Sequence, residues 1–307
     1  MKINLIGVPL HLGADKFGCN LAPKTYREAN IVNLIESLGF EVFDCGDVNV
    51  LETDEKRKYE HHPNLKYLHE VVDANNKLAQ KVYESISNGN FPLILGGDHS
   101  LGLGSIAGAS KSIKNLGVVW IDAHGDINTD ITSPTGNIHG MPLAASFGIG
   151  HEALVNVYEN RVKIKEENVF HIAGRDLDEG EVELIKGSKG QFYTMDKVKK
   201  LGIKNVVKDM LNYFKNKVDA IHVSFDLDSI DSLFAPGTGT PVKDGLSVED
   251  AKYILESLAL SGMMCSLDIV ELNPVLDKDN KTLDIAMYLI KNTLSKLKYG
   301  LENRLTA

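Results

Sequence analysis

The chain has 307 residues, 43 % of them hydrophobic, which is enough for one large core. Lys plus Arg total 33 against 42 Asp plus Glu, a formal net charge of −9 that argues against nucleic acid or an anionic membrane as a partner and favours a cationic substrate. Cys19, Cys45 and Cys265 are scattered with no C-x-x-C spacing, no basic-then-apolar leader opens the chain, and no apolar run reaches the length of a membrane span. A soluble protein with reduced thiols, in the cytoplasm, is therefore expected.

In chain order, Lys2 to Pro9 reads as a strand followed by a glycine-containing loop. Pro23 to Leu38 has helical apolar spacing with proline in its first turn, and Glu41 to Asp44 is a second strand. Residues Asp47 to Pro63 are charged and unpatterned, a surface loop in which His61 and His62 are expected to be solvated. Leu65 to Ser87 is a long amphipathic helix, with Leu68, Val71, Val72, Leu78 and Val82 at three- and four-residue intervals. The strand from Phe91 runs into GGDHS, and the following GLGSIA matches a dinucleotide fingerprint only loosely, so its small residues are read as helix packing. Leu116 to Ile121 is a strand, Ile127 to His139 a polar loop with Pro134 and Gly136, and Met141 to Phe147 a helix. Asn168 to Ala173 and Gln191 to Thr194 are strands, and the acids of Gly174 to Glu181 between them read by default as helix caps. Lys197 to Lys217 reads as an exposed helix with a solvated lysine face. It is followed by the strand Ala220 to Phe225, the loop SLFAPGTGTP, the helix Val248 to Leu258, the strand Met263 to Val270 and a closing helix Thr282 to Leu297. About seven strands alternating with helices, with no linker or repeat, predict one domain over residues 1–307: an α/β fold with a doubly wound parallel sheet between helical layers.

Three strand ends carry the chemistry. LGVVWIDAHGD ends in Asp122, His124 and Asp126, spaced by two, so a backbone that stays extended past Ile121 turns all three side chains to one side. FPLILGGDHS ends in His99, and IHVSFDLDSID carries Asp226 and Asp228. Four carboxylates and two imidazoles suit a pair of divalent ions, manganese better than a thiolate-preferring metal, because the oxygen donors are hard and four negative charges balance two dications. Such a pair lowers the pKa of a shared water and points to hydrolysis. Asp98, His99 and Ser100 are consecutive, and sequential neighbours do not converge into a serine relay. His151, His171 and His222 match no ligand position and are read as core or surface histidines, and Trp120 as core.

GGDHS, DAHGD and SFDLDSID, in this order and spacing, resemble the ureohydrolase family of arginases, agmatinases and related amidine hydrolases, over nearly the whole chain from IGVP to LDIVELNP. The resemblance implies two manganese ions per subunit. His99, Asp122, Asp126 and Asp226 would hold one and Asp122, His124, Asp226 and Asp228 the other, so that Asp122 and Asp226 bridge. The stretch TGNIHGMP looks like the arginase branch, whose substrate is L-arginine. There the resemblance implies that Asn128, Thr135 and Asn137 meet the α-carboxylate, Asp178 and Glu181 the α-amino group, and Glu271 the guanidinium. Thr240 would line the pocket, and His139 would shuttle protons to the leaving amine. Asp126, His139 and Glu271 are the implied catalytic groups. The expected reaction is attack of a metal-bridging hydroxide on the guanidinium carbon, with a tetrahedral intermediate collapsing to L-ornithine and urea. A homo-oligomer, trimer or hexamer, is also implied. Thr135 stands where serine is frequent, and Ser229 where a glycine is usual. The nearest rival is an agmatinase or another guanidino-compound ureohydrolase. A catalytically silent metal-binding relative and a zinc amide hydrolase of the deacetylase type follow at a distance.

Overall fold

A computed structural model describes residues 2–306, of which 301 and 303–306 by backbone alone. Eight strands, β1 (Lys2–Val8), β2 (Glu41–Asp47), β3 (Phe91–Gly96), β4 (Leu116–Ile121), β5 (Val169–Gly174), β6 (Gln191–Thr194), β7 (Ala220–Asp226) and β8 (Met264–Val270), form one sheet. Its order is β2-β1-β3-β8-β7-β4-β5-β6, and every pairing between these strands is parallel. Both faces are covered, as a parallel sheet requires. On β4 the period of two is explicit: Val119 and Ile121 enter one apolar layer while Leu116, Val118 and Trp120 enter the other.

The first layer receives α1 (Ala22–Glu28), α2 (Ile31–Ser37), α8 (Met195–Leu201), α9 (Ile203–Phe214), α10 (Val248–Leu260) and α11 (Lys281–Thr306). The second receives α3 (Leu68–Ser87), α4 (Gly102–Ser112) and α5 (Pro142–Ser146), and the short α6 (Glu152–Val155) and α7 (Glu179–Gly187) complete the chain. In α4 the small residues serve packing: a Cβ at Gly104 would meet the Asn75 carbonyl at 2.5 Å and one at Gly108 the Ala79 carbonyl at 2.3 Å. That contact with α3 answers the GLGSIA motif without a nucleotide.

Three helices differ from their sequence reading. Pro23 to Leu38 is two helices, because Asn30 takes a left-handed conformation (φ 60°) that breaks the hydrogen-bond ladder. The helix expected from Leu65 starts at Leu68, after Tyr67 at φ 50°. Lys197 to Lys217 is also split, at Gly202 (φ 78°), and it is not an exposed helix: Val206, Val207, Met210 and Phe214 of α9 are buried in the first apolar layer. Lysines on its outer face masked an apolar stripe of helical period. Eight strands stand where about seven were expected. Among the described residues no helix is long and apolar enough to cross a membrane.

Candidate dinuclear metal centre and substrate cavity

Four neighbouring strands, β3, β8, β7 and β4, end side by side, and all the carboxylates and imidazoles singled out at strand ends sit there. This is the carboxyl edge of a parallel sheet, the place where such folds build sites. His99 follows β3, Asp122 to Asp126 follow β4, Asp226 closes β7 with Asp228 beyond it, and Glu271 follows β8. Two residues leave extended geometry to reach the site, Asp126 at φ 52° and Glu271 at φ 65°. For side chains other than glycine this conformation costs free energy, so its presence twice at one site marks a functional constraint. It also corrects the extended-backbone argument for Asp126, which arrives through a left-handed turn.

The distances define two overlapping triads, His99–Asp122–Asp126 and Asp122–His124–Asp228, with Asp122 in both. His99 Nδ1 lies 2.8 Å from Asp122 Oδ2, 3.1 Å from Asp126 Oδ2 and 3.2 Å from Asp226 Oδ2. Nδ1 of His124 is 3.4 Å from Asp122 Oδ1 and 3.2 Å from Asp228 Oδ2. Donor atoms about 2.1 Å from one ion in a near-octahedral array stand about 3 Å apart, which is this spacing. His99 Nδ1 and Asp126 Oδ2 are buried and have no hydrogen-bond partner. Burial and the neighbouring charge of Asp122 push Asp126 up to about 8, and burial with the charges of Asp228 and Asp122 holds Asp226 well above the ordinary carboxylate range. Orphaned buried donors and crowded carboxylates are relieved by dications, so the residues present fit a binuclear metal site.

The ligands are held from behind. Trp120, expected only as core, is fully buried, but it also stacks on His99 with ring centroids 4.0 Å apart and donates Nε1–H to Asp122 Oδ2 at 3.1 Å. His99 Nε2 is 2.9 Å from Ser224 Oγ, which donates to Asp268 Oδ2 at 3.3 Å, so Nδ1 is left for a ligand role. Asp226 Oδ1 accepts from the Asp228 amide at 2.7 Å, and the Ser229 hydroxyl donates to the Asp226 carbonyl at 2.6 Å, which gives the serine in the usual glycine position a partner. Thr240 Oγ1 donates to Asp228 Oδ2 at 3.1 Å. His171 is buried against the His124 carbonyl, His222 against Ser266 and Asp268, and His151 accepts the Ala153 amide at the start of α6, so none of the three joins the cluster.

Two cavities adjoin the centre. One of about 290 Å³ is lined by His124, Asp126, Asn128, Thr135, Asn137, His139, Asp178, Glu181 and Thr240, with Asp176 beside them. The other, about 380 Å³, shares Asn137, His139 and Thr240 and adds Asp15, Lys16, Glu271 and Asn273. Every residue expected to contact substrate lines one of the two. Glu271 Oε1 accepts the His99 amide at 2.9 Å and lies 3.3 Å from His139 Nδ1. Burial alone would lower the His139 pKa, but the hydrogen bond and charge of Glu271 outweigh it and raise it to about 9.

Asp178 and Glu181 also form the capping box of α7, so the default reading of those acids holds as well. Both Glu181 oxygens are engaged, by the amides of Ile127 and Asp178, while Asp178 Oδ2 accepts from Asn128 Nδ2 at 2.8 Å. Sequence reasoning missed Asp15, Lys66, Asp176, Ser224 and Asp268. Asp15 and Lys66 lie in segments with no motif of their own, whereas Asp176 sits inside the acidic GRDLDEGE, Ser224 opens SFDLDSID and Asp268 lies in LDIVELNP, so for these three the sequence held a signal.

The profile of the arginase family matches residues 1–295. The chain is 47 % identical over 291 residues to an arginase of Brevibacillus brevis, covering 95 % of this chain and 97 % of that protein. The crystal structure of an arginase from Bacillus subtilis superposes with a TM-score of 0.89 at 44 % identity, covering 95 % of this chain and 98 % of that one. A structure of the Entamoeba histolytica arginase in complex with L-ornithine gives 0.88 at 33 % identity, over 95 % and 97 % of the two chains. The strand-end cluster thus sits in a chain that belongs to the arginase family of hydrolases.

Proposed function

We propose that the protein hydrolyses L-arginine to L-ornithine and urea at a dimanganese centre. The observation that carries this is the pair of triads sharing Asp122 on adjacent strand ends. One ion would be held by His99, Asp122, Asp126 and Asp226, the other by Asp122, His124, Asp226 and Asp228. Hard oxygen and imidazole donors favour manganese. When bound, the ions polarise water and supply a nucleophile near neutral pH.

The chain's own groups do the rest. Glu271, its Oε1 held by the His99 amide, receives the guanidinium. His139, kept protonated at neutral pH by Glu271, delivers a proton to the departing amine. Asp126 completes the reacting end beside His99. At the far end Asn128, Thr135 and Asn137 face the α-carboxylate and Asp178 the α-amino group, with Glu181 fixing Asp178 through its amide. Thr240 steadies Asp228 at the wall shared by the two cavities. We read residues 1–307 as one domain, working in the cytoplasm as a homo-oligomer of three or six. Cys19, Cys45 and Cys265 are thiols rather than disulfides, which suits a reducing compartment.

The test is urea release by manganese-loaded protein offered L-arginine and agmatine in parallel, with a chelated control. Chelator-sensitive urea from L-arginine alone is the expected result. Urea from agmatine would keep the centre and overturn the reading of the carboxylate end, and no urea from either would overturn both.

A further inference from the structure

The 135–137 segment is braced by a part of the chain that no motif marks. Lys66 donates its backbone N–H to the Gly136 carbonyl at 3.1 Å, and Gly136 is at φ 72° with the Asn64 carbonyl where a Cβ would stand, 2.1 Å away. Glycine is required there by both conformation and space. The Lys66 ammonium then reaches the Asn137 side chain, donating to Oδ1 at 2.7 Å, and pairs with Asp15 Oδ2 at 3.0 Å. The other Asp15 oxygen pairs with Lys58 at 3.0 Å, and Lys58 in turn accepts the Tyr67 amide on its carbonyl at 2.8 Å. Burial would raise the Asp15 pKa, but the bonds from Lys58 and Lys66 outweigh it and hold the carboxyl below its usual range. Lys58 also reaches Glu55 at 3.8 Å, so two lysines and two acids balance each other at this rim.

The Asn137 amide is held from both sides. Its oxygen accepts from Lys66, and its nitrogen donates to the Ala14 carbonyl at 3.0 Å. Turned over, it would set oxygen against oxygen at Ala14 and donor against donor at Lys66. An amide nitrogen carries two hydrogens, so one N–H remains after the Ala14 bond, and Asn137 lines both cavities.

We propose that Lys66, set in place by Asp15, is a positioning residue that makes this site read a substrate carboxylate, by locking the Asn137 amide with its donor side toward the cavity and its acceptor side away. The proposal rests on the reading of the site as acting on L-arginine and deepens it: discrimination against the decarboxylated amine depends on a lysine 71 positions from the asparagine it orients. Without that lysine only the Ala14 bond opposes a turn of the amide, which then presents an oxygen to a carboxylate part of the time.

The test compares Lys66→Met and Lys66→Arg with the native manganese-loaded protein. Urea release gives kcat and KM for L-arginine, agmatine is scored as an inhibitor of that reaction, and calorimetry gives Kd for L-ornithine and for putrescine. In Lys66→Met the KM for L-arginine and the Kd for L-ornithine rise about tenfold, the scale of one charge-assisted hydrogen bond. The kcat, the agmatine Ki and the putrescine Kd stay within about twofold of native, and Lys66→Arg recovers most of the loss. Equal loss for carboxylated and decarboxylated compounds would show a merely structural lysine and overturn the proposal, as would unchanged discrimination. Native protein that releases no urea from L-arginine would sink the functional reading itself, and native activity with unaltered discrimination in Lys66→Met would sink this proposal alone.

Discussion

The two ends of the substrate cavity are built by different means. At the metal end, six candidate ligands project from three strand ends that are neighbours across one sheet or flank its inserted strand β8, and Asp122 and His99 are backed by the buried Trp120 and Ser224. At the end proposed to read the substrate carboxylate, Asn128, Thr135 and Asn137 sit on a loop with no strand beneath it, held by Asp178, Lys66 and Ala14 from three separate segments. A strand end is fixed by its whole ladder of hydrogen bonds, whereas a loop is only as rigid as its individual braces. Chemistry that must hold two dications uses the first. The substrate recognition proposed for the loop uses the second.

The largest effect that would break this contrast is at Asp122, shared by both triads. Asp122→Ala is expected to lose bound manganese, measured as metal per chain after dialysis, and to cut urea release by about a thousandfold or more, since several kcal/mol of metal assistance goes with it. Retained metal in that variant would refute the shared-ligand assignment. Next comes His139→Gln, expected to lower kcat about a hundredfold while KM moves little. The pH profile sharpens this. A His139 pKa of about 9 means that the imidazolium is present at neutral pH and is lost as pH rises through that value, so native kcat falls on that side. The descending limb should vanish in His139→Gln, and a limb that persists there belongs to another group. The smallest effect is on stability. Glu181→Ala removes the side-chain half of the α7 capping box and the bond to the Ile127 amide, and should cost about 1–2 kcal/mol in denaturant unfolding. It should also raise the KM for L-arginine, through Asp178 and Asn128, without loss of metal. Metal loss there would mean that the loop and the strand ends are one unit.

How legible each end was follows from the same difference. Asp122, His124 and Asp126, like Asp226 and Asp228, announce themselves because alternation along a chain that has just left a strand puts polar groups where a buried run stops. His99 carried the same signal. The resemblance to ureohydrolases then named the loop residues, and the structure lines the two cavities with all of them. Lys66 and Asp15 carried no signal, since their place depends on which loops are folded against each other. The burial of α9 was missed for another reason: surface lysines between Lys197 and Lys217 hid the buried stripe of Val206, Val207, Met210 and Phe214.

By itself the amino-acid sequence determined the alternation of strands and helices, the two apolar layers and the gathering of carboxylates and imidazoles at strand ends, because these depend on periods of two and of 3.6 residues that are written locally. Only the tertiary structure decided that β8, the last strand, inserts between β3 and β7, so that Glu271 comes to face His99 and His139. Likewise only the fold brings Lys66 to Asn137. Both are contacts between residues far apart in the chain, and what selects them is the shared burial of the layers, which no short stretch of sequence contains.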